Sequence, residues 1–212
     1  MDEQPRQINE QENVVDVYNK IGHEFSNTRA SVKWPWITDF IESLPKKSNI
    51  LDVGCGNGRN MKYEGHHFYG VDNSKTFIEI CREQDLNVVE GTMMMLPFSK
   101  QSFDHIINIA AFHHLSTEIR RLRAVEEMHR VLKPRGKILI SVWSINQPKK
   151  TKRQFTWYGD TMVPWKSNEQ TYERYYYIFK IDELKELFEK VGFTTLSHKW
   201  DYGNEIFVFQ KK

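Results

Sequence analysis

Hydrophobic residues along the chain follow two kinds of spacing. Some segments carry them three and four positions apart, as in an amphipathic helix, and others hold short apolar runs typical of buried strands. The predicted helices are Val14 to Phe25, Trp36 to Leu44, Ser74 to Cys81, Ser116 to Leu132 and Asp182 to Val191. The predicted strands are Ile50 to Val53, His67 to Val71, Asn87 to Glu90, Ser102 to Ile109, Lys137 to Trp143, Thr194 to Trp200 and Glu205 to Gln210.

The alternation of strands and helices predicts an α/β fold with a mostly parallel sheet. The last two strands flank a turn at Tyr202-Gly-Asn204 and are predicted to form an antiparallel hairpin, which gives seven strands in total. Helix boundaries are also marked in the sequence. Pro35 stands at a helix start, Ser74 and Ser116 are predicted N-caps, and Gly192 is a predicted C-cap.

The chain has 212 residues, of which 39% are hydrophobic, enough for one sizeable core and too few for two comfortable domains. We therefore expect a single domain with four parts. These are N-terminal helices over residues 1–45, a ligand-binding core over residues 46–143, an insertion over residues 144–180, and a terminal helix and hairpin over residues 181–212. The segment 144–180 shows no clear hydrophobic period, so we interpret it as an insertion over the ligand-binding edge of the sheet.

Composition argues against several classes of protein. The longest nearly apolar run, Ile106 to Phe112, is far below the ~18 residues that indicate a membrane span, and the polar segment Met1 to Asn13 is not a signal peptide. Two cysteines form no disulfide framework, and the eight histidines do not cluster with cysteines at metal-ligand spacing. We expect no metal and a reducing compartment, the cytoplasm or the nucleus.

The charge pattern is informative about polyanionic partners. The net charge of +2 and the pI of about 8.4 fall short of the pI above ~9 that is typical of a nucleic-acid-binding domain. A single basic cluster is usually a solvated face, but several together could follow a phosphate backbone. The clusters are Arg120, Arg121 and Arg123; Lys133, Arg135 and Lys137; and Lys149, Lys150, Lys152 and Arg153.

A glycine-rich segment, Gly54-Cys-Gly-Asn-Gly58, directly follows the first predicted strand. Glycine allows a tight turn and a close approach of the backbone to a ligand. Asp52 lies at the end of that strand, and the second strand ends in Asp72, an acceptor suited to both hydroxyls of a ribose. Arg59 interrupts the dinucleotide-binding fingerprint and the GK[ST] of a P-loop is absent, so neither of those ligands is predicted.

The acid, glycine-rich turn, strand and second acid resemble the nucleoside-binding half of class I S-adenosylmethionine (SAM) methyltransferases. The resemblance extends over LDVGCGNGRN, FYGVD, LPFSKQSFD and EEMHRVLKPRGKILIS. It implies a Rossmann-like fold with helices on both faces of the sheet, and SAM as the cofactor. It also implies the cofactor-binding residues: Asp52, Gly54 and Gly56 for the methionine part, Asp72 with Asn73 for the ribose, Thr92 and Met93 for the adenine, and Ile109 and Ala110 beside the cofactor.

Flanking segments are similar to the eukaryotic tRNA methyltransferases that esterify carboxymethyl groups on the wobble uridine. These segments are Val17-Tyr18, His23 to Ser26, Thr28-Arg29, Trp34-Pro35-Trp36, Ala111 to Ser116, Val163-Pro-Trp165 and Arg174 to Tyr177. The chain departs from the family after the third strand, where Gly91-Thr92-Met93 replaces an acidic residue followed by alanine or glycine. There the Thr92 hydroxyl or the Met93 backbone would have to take over the adenine contact.

The resemblance implies methyl transfer to the carboxylate of 5-carboxymethyluridine in a tRNA anticodon loop. A carboxylate has a pKa near ~4 and is already ionised at neutral pH, so it needs orientation rather than a general base. The predicted catalytic residues are Arg29, in a predicted break after the first helix, and the pair His113 and His114, with His114 favoured. A surface ion pair for Arg29 and a packing or capping role for the histidines are the structural alternatives.

The family also implies a partner, a small zinc-binding activator protein. We expect it on the strand Asn87 to Glu90, because an unpaired edge strand with apolar residues invites the addition of another strand. The chain would then be the catalytic subunit of a heterodimer.

The aromatic residues in and around the insertion allow two interpretations. They could stack on bases of the anticodon loop or pack in the core. They are Trp143, Trp157, Trp165, Tyr172 and Tyr175 to Tyr177.

Two other functions stay open on the sequence. One is a small-molecule methyltransferase acting on a quinone or phenol, in which the insertion lines an apolar pocket and a histidine acts as general base. The other is a SAM-binding module that only supports another subunit.

Overall fold

The computed structural model describes residues 10–29, 34–151, 153–167 and 170–212. In these ranges the α-helices are α1 (Asp16–Arg29), α2 (Pro35–Glu42), α3 (Lys75–Arg82), α4 (Glu118–Val131) and α5 (Ile181–Val191). A π-helical turn (Gln11–Val15) leads into α1, and 3-10 helices cover Arg59–Met61 and Phe112–His114. The strands are β1 (Asn49–Val53), β2 (His67–Asp72), β3 (Val88–Glu90), β4 (Phe103–Ile109), β5 (Leu132–Trp143), β6 (Gly159–Ser167), β7 (Gln170–Ile178), β8 (Phe193–Asp201) and β9 (Asn204–Lys211).

Three features of the sequence analysis fall outside this description. Ala30 closes the predicted break after the first helix, and Lys152 belongs to one of the basic clusters. The side chain of Arg29 is the third, since only its backbone, the last residue of α1, is described.

Seven strands form one sheet in the order β3-β2-β1-β4-β5-β9-β8. The strands β1 to β5 are parallel, and β9 pairs antiparallel with both β5 and β8. The prediction of a mostly parallel sheet that ends in an antiparallel hairpin is confirmed. The chain leaves β1 in one direction for β2 and β3 and then returns to its other side for β4 and β5. Open α/β sheets bind ligands at such a point, at the carboxyl ends of the strands.

Both faces of the sheet are covered, because most side chains of the central strands are apolar and pack against helices on both sides. Successive side chains of a strand point to opposite faces. Leu51 accordingly packs in one cluster with Val125 of α4 and Phe188 of α5, while Ile50 packs in another with Ile37 of α2. The predicted layers of helices on the two faces are therefore present.

The predicted end of the N-terminal helix differs from the structure. The predicted break at Asn27 to Ala30 is wrong for residues 27–29, since α1 continues through Arg29. The Thr28 hydroxyl donates to the carbonyl of Phe25 at 2.8 Å. A hydroxyl that bonds back to the preceding turn can be accommodated within a helix.

The start of α4 also differs from the prediction. Its N-cap is Thr117, whose hydroxyl accepts the N–H of Arg120 at 3.2 Å, and not Ser116, whose own N–H donates to Glu10. The helical spacing of Ile119, Leu122, Val125, Met128 and Leu132 predicts one buried stripe, but Ile119 is 66% exposed. It lies six positions before Val125, about 120° around the helix at 3.6 residues per turn, so the two side chains face different directions.

The insertion contains regular structure for which the sequence analysis predicted no elements. Strands β6 and β7 form a separate antiparallel ribbon. The ribbon lacks the period-two pattern of a half-buried strand because Arg174, Tyr175 and Tyr176 are all buried. Strand β5 is also longer than predicted, since it begins at Leu132 and contains an irregularity before Lys137.

In the ranges that the structure describes, no helix combines the length and the hydrophobicity needed to cross a membrane. The same residues contain no group of three His, Cys, Asp or Glu side chains arranged to bind a metal ion.

Phe188 provides a test of the core. It is fully buried and stacks on Phe209 with ring centroids 4.3 Å apart. We expect Phe188→Ala to lower the free energy of unfolding by about 3–5 kcal/mol, measured by urea denaturation, because it leaves a cavity in the core. The control Ile119→Ala should change it by less than about 0.5 kcal/mol, since Ile119 is exposed. Equal effects of the two substitutions would contradict this packing.

Candidate functional site

A cavity of about 860 Å³ lies at the carboxyl ends of β1, β2 and β4. This volume suits a ligand of the size of a nucleoside derivative. The predicted residues that line it are Gly54, Gly56, Asp72, Asn73, Thr92, Met93, Ile109, Ala110 and His114. Asp52 and His113 do not line it: they lie buried beside it.

The glycine-rich loop follows β1 directly and presents its backbone to the cavity. Gly54 has a φ of 76°, and a Cβ added there would collide with the Cβ of Ala111. Gly56 has a φ of 52°, and a Cβ there would have no atom within 4 Å, which leaves the space beside it open to a ligand. Only glycine adopts both conformations without strain.

Asp72 is held rigidly at the end of β2. Its Oδ2 accepts the N–H of Gly56 at 2.8 Å, and its Oδ1 accepts the N–H of Ser74 at 2.9 Å. Burial raises the pKa of Asp72 above its usual value, although these backbone donors oppose the increase. The carboxylate therefore connects the glycine loop to the start of α3 and keeps further acceptor capacity towards the cavity.

Asp52 is fully buried next to the glycine loop. In the described part of the chain neither of its carboxylate oxygens has a hydrogen-bond partner. Burial, together with the neighbouring Asp72, raises the pKa of Asp52 to about 8, although Arg59 opposes the increase. A buried acid without a partner is uncommon in a native protein. It indicates a cationic ligand beside the loop, and it fits the positively charged donor SAM.

Asn108 joins the two strands that border the cavity, and sequence reasoning did not identify this role. Its Nδ2 donates to the carbonyl of Val53 at 2.9 Å, and its Oδ1 accepts the N–H of Phe112 at 3.0 Å. The backbone between Asn108 and Phe112 includes Ala110, with a φ of 55°. A polar residue inside an otherwise apolar run was the available signal, because such a residue must find partners inside the protein.

His114 belongs to a chain of hydrogen bonds on the cavity wall. Its Nδ1 lies 2.7 Å from the carbonyl of Tyr175 and its Nε2 lies 3.2 Å from the hydroxyl of Tyr18, which in turn lies 3.2 Å from that of Tyr176. Burial lowers the pKa of His114 to about 4, so the ring is neutral at pH 7. We infer that Nδ1–H donates to Tyr175, because a carbonyl can only accept, and that Tyr18 donates to Nε2.

His113 has a different environment. Its Nδ1 accepts the N–H of Trp143 at 3.0 Å, and burial lowers its pKa well below the usual range. Its ring packs against those of Trp143 and Tyr176. The environment of His113 therefore fits the packing role that was the structural alternative for the histidine pair. His114 is the member of the pair that lines the cavity.

The N-terminal segment closes one side of the cavity. Glu10 lines it, accepts the N–H of Ser116, and accepts the Nε–H of Arg120 at 2.9 Å. Tyr18 and Phe25 of α1 line the same side. Sequence reasoning placed Tyr18 and Phe25 in a helix without a role at the site and left Glu10 in the polar segment before it, since nothing local reveals a partner more than 90 residues away.

The aromatic residues of the insertion divide into buried and exposed members. Tyr176 stacks on Trp143 with ring centroids 4.0 Å apart, and the Cζ of Arg153 lies 3.9 Å from the Trp143 ring. Tyr175 is buried, whereas Trp157 is 60% exposed. The core interpretation is thus confirmed for Tyr175 and Tyr176, and stacking on a nucleotide stays a prediction for Trp157.

Comparison with known proteins places the chain among methyltransferases. The family model described as "Methyltransferase domain" matches residues 51–140. The chain is 34% identical to the tRNA (carboxymethyluridine(34)-5-O)-methyltransferase of Schizosaccharomyces pombe, over 95% of this chain and 97% of that protein. It is 32% identical to the enzyme of that name from Xenopus tropicalis, over 95% of this chain but only 41% of that longer protein.

Solved structures share the fold at low sequence identity. A SAM-dependent methyltransferase from Methanosarcina mazei matches with a TM-score of 0.69 and 19% identity, over 84% of this chain and 98% of that chain. A structure of the Haloferax volcanii Trm112 methyltransferase activator in complex with a methyltransferase matches with a TM-score of 0.64 and 16% identity, over 93% and 97%. With its full-length similarity to the yeast enzyme, the chain belongs to the tRNA (carboxymethyluridine(34)-5-O)-methyltransferase family of SAM-dependent methyltransferases.

Proposed function

We propose that this chain transfers a methyl group from SAM to the carboxylate of 5-carboxymethyluridine at the wobble position of tRNA, which forms the methyl ester. The observation that carries the proposal is the state of His114. A histidine with a pKa of about 4, whose Nδ1–H donates to Tyr175, is a poor general base at neutral pH. The wall therefore suits an acceptor that is already anionic better than a phenol, which must lose a proton.

The residues at the other end of the cavity fit SAM. Asp72 would take the ribose, the backbone of Gly54 and Gly56 would approach the methionine part, and Asp52 would balance positive charge. SAM supplies a methyl group on a sulfonium. When the methyl group is transferred, the neutral thioether leaves without help from the protein. The task of the chain is then to exclude water and to align the acceptor oxygen, and alignment alone can supply a large part of the rate enhancement.

The three predicted catalytic residues have different roles in this proposal. Arg29 stays a prediction, because its side chain is not described. His114 has both ring nitrogens engaged and no N–H left for the acceptor, so its contribution is to hold the Tyr18 hydroxyl in place. His113 would act only by anchoring the wall through Trp143.

A tRNA anticodon loop is the proposed macromolecular substrate. The insertion combines basic and aromatic side chains, including the exposed Trp157 and Arg153, which stacks on Trp143 at the end of β5. Splayed bases of single-stranded loops are bound by stacking on such groups.

A small activator protein is the proposed partner. Strand β3 is at the edge of the sheet and pairs with β2, and no other strand of the described residues pairs with it. The carbonyl of Asn87 accepts the N–H of Gly70, and the N–H of Gly91 donates to Asp72, so the backbone of Val88 faces the open side. A strand added from the activator would supply hydrogen-bond partners for the backbone N–H and C=O of Val88.

Asp52 gives a prediction for cofactor binding. An acid with a raised pKa is protonated below about pH 8, and a bound cation favours its ionised form, so binding releases a proton. We expect the affinity for SAM to rise between pH 6 and 7.5 by up to roughly tenfold per pH unit. Asp52→Asn should bind more weakly and release fewer protons, measured by titration calorimetry in buffers of different ionisation enthalpy. Identical pH profiles for the two proteins would contradict this role.

Arg29 gives a prediction for catalysis. Loss of a charged hydrogen bond to the acceptor should lower methyl transfer to tRNA with 5-carboxymethyluridine by roughly 10–100-fold in Arg29→Ala. The measurement is mass spectrometry of digested tRNA. The control Lys190→Ala removes one positive charge from α5 and should retain normal activity. Normal activity of Arg29→Ala would refute the assignment, and transfer by the wild type to a lipid extract instead of tRNA would refute the function.

Val88 gives a prediction for the partner. Proline at this position removes an outward N–H and leaves the bonds to β2 in place. We expect Val88→Pro to lose co-purification with a Trm112-type activator while retaining the affinity for SAM, whereas Val88→Ala keeps the N–H and should retain the complex. The proposal fails if the wild-type chain alone is monomeric and fully active.

A further inference from the structure

Arg174 is a buried cation that forms no ion pair with the described residues. The residue is only 4% exposed, on strand β7. Three other buried or half-buried arginines have a carboxylate within 4 Å: Arg120 pairs with Glu10, Arg121 with Glu183 and Arg130 with Glu127. Among the described residues no carboxylate lies within 4 Å of Arg174, and its Nε has no hydrogen-bond partner there. A hydrogen bond to Tyr18 and the more distant charge of Glu173 favour its protonated form. A guanidinium stays charged in a protein, so a counter-ion would stabilise it.

The surroundings of this guanidinium are aromatic. Its Cζ lies 5.0 Å from the centre of the Trp165 ring and 5.4 Å from that of Tyr176. Tyr176 lies within hydrogen-bond distance of Tyr18, and the Trp165 ring is 5.5 Å from that of Phe25. Since Tyr18 and Phe25 line the cavity, Arg174 lies one layer of side chains behind the cavity wall.

The charge of Arg174 acts on the groups of that wall. The pKa of His114 is lowered first by burial and also by Arg174, and the same two causes contribute at the buried His113. His114 faces the cavity. A repulsion that disfavours a positive charge at this point of the wall favours a negative charge beside it, because the electrostatic energy changes sign with the charge.

We propose that Arg174 determines specificity for an anionic acceptor: its unpaired positive charge favours binding of a carboxylate next to His114 and Tyr18. The inference rests on the proposed function, since it concerns the same cavity. It adds that the chain distinguishes an acid from a neutral amide of the same shape, through a residue that the sequence analysis had not assigned to the site. The N-terminal helix carrying Tyr18 and the ribbon carrying Arg174 together form the acceptor subsite.

The test compares two anticodon stem-loop RNAs that differ only at the wobble base, 5-carboxymethyluridine or the neutral 5-carbamoylmethyluridine. Binding is measured by fluorescence anisotropy with S-adenosylhomocysteine present, so that no turnover occurs. We expect the wild type to prefer the acid by roughly tenfold or more. Arg174→Met, which keeps most of the side-chain volume, should reduce the ratio of the two affinities to about one, mainly by lowering the affinity for the RNA that carries the acid.

Two further variants separate charge from structure. Arg174→Lys keeps the charge and should retain part of the preference, whereas Lys190→Met removes a distant exposed charge and should retain all of it. A purely structural role of Arg174 would appear as a lower melting temperature of Arg174→Met with an unchanged ratio, and that result would overturn the proposal. A wild type that binds both RNAs equally would instead contradict the carboxymethyluridine acceptor itself. If Arg174→Met does not fold, loss of the preference in Arg174→Gln supports the proposal and an unchanged ratio overturns it.

Discussion

The hydrogen bond from the N–H of Gly56 to Asp72 holds the loop after one strand against the end of the next. It depends on the parallel register of β1 and β2, in which Val53 lies opposite Val71. That register brings Asp72 close enough to Asp52 to raise its pKa. Two acids in a region of low dielectric are unfavourable without positive charge, so the carboxyl end of the sheet is suited to a cationic donor.

The opposite wall has the reverse electrostatic character. His114 is neutral and Arg174 is positively charged, so this side disfavours a cation and favours an anion. A cationic donor and an anionic acceptor thus have separate places in one cavity. Groups oriented before the reaction need not reorganise during it, which is the main way in which a protein stabilises a change in charge. This polarity explains how a site without a strong base can alkylate a carboxylate.

Distant parts of the chain must meet to complete the cavity. Tyr18 contacts His114 and Tyr176, which are 96 and 158 positions away, and Glu10 contacts Arg120 across 110 positions. The N-terminal helices, the core and the insertion therefore share the site. A ligand that binds only this assembled form stabilises it by mass action, so we expect cofactor, substrate and folding of these segments to be coupled.

The sequence alone determined the parts of this protein that depend on neighbours along the chain. Apolar runs predicted the parallel strands, the alternating glycines predicted the backbone loop, and the two acids after strands predicted the donor site at the switch point. The Gly192 cap and the terminal hairpin were also predicted, because cap and turn residues act within a few positions. Similarity of motifs then identified the family.

Tertiary structure decided what depends on contacts between distant segments. It placed His114 on the cavity and His113 behind it, although the two are adjacent in sequence, because only the first meets Tyr18. It selected Thr117 as the cap, whose hydroxyl accepts the N–H of Arg120, and it formed β6 and β7 from a segment whose buried residues hide the strand period. It also buried Arg174 with no carboxylate of the described residues within 4 Å. Burial and charge pairing are properties of the folded neighbourhood, and no local pattern encodes them.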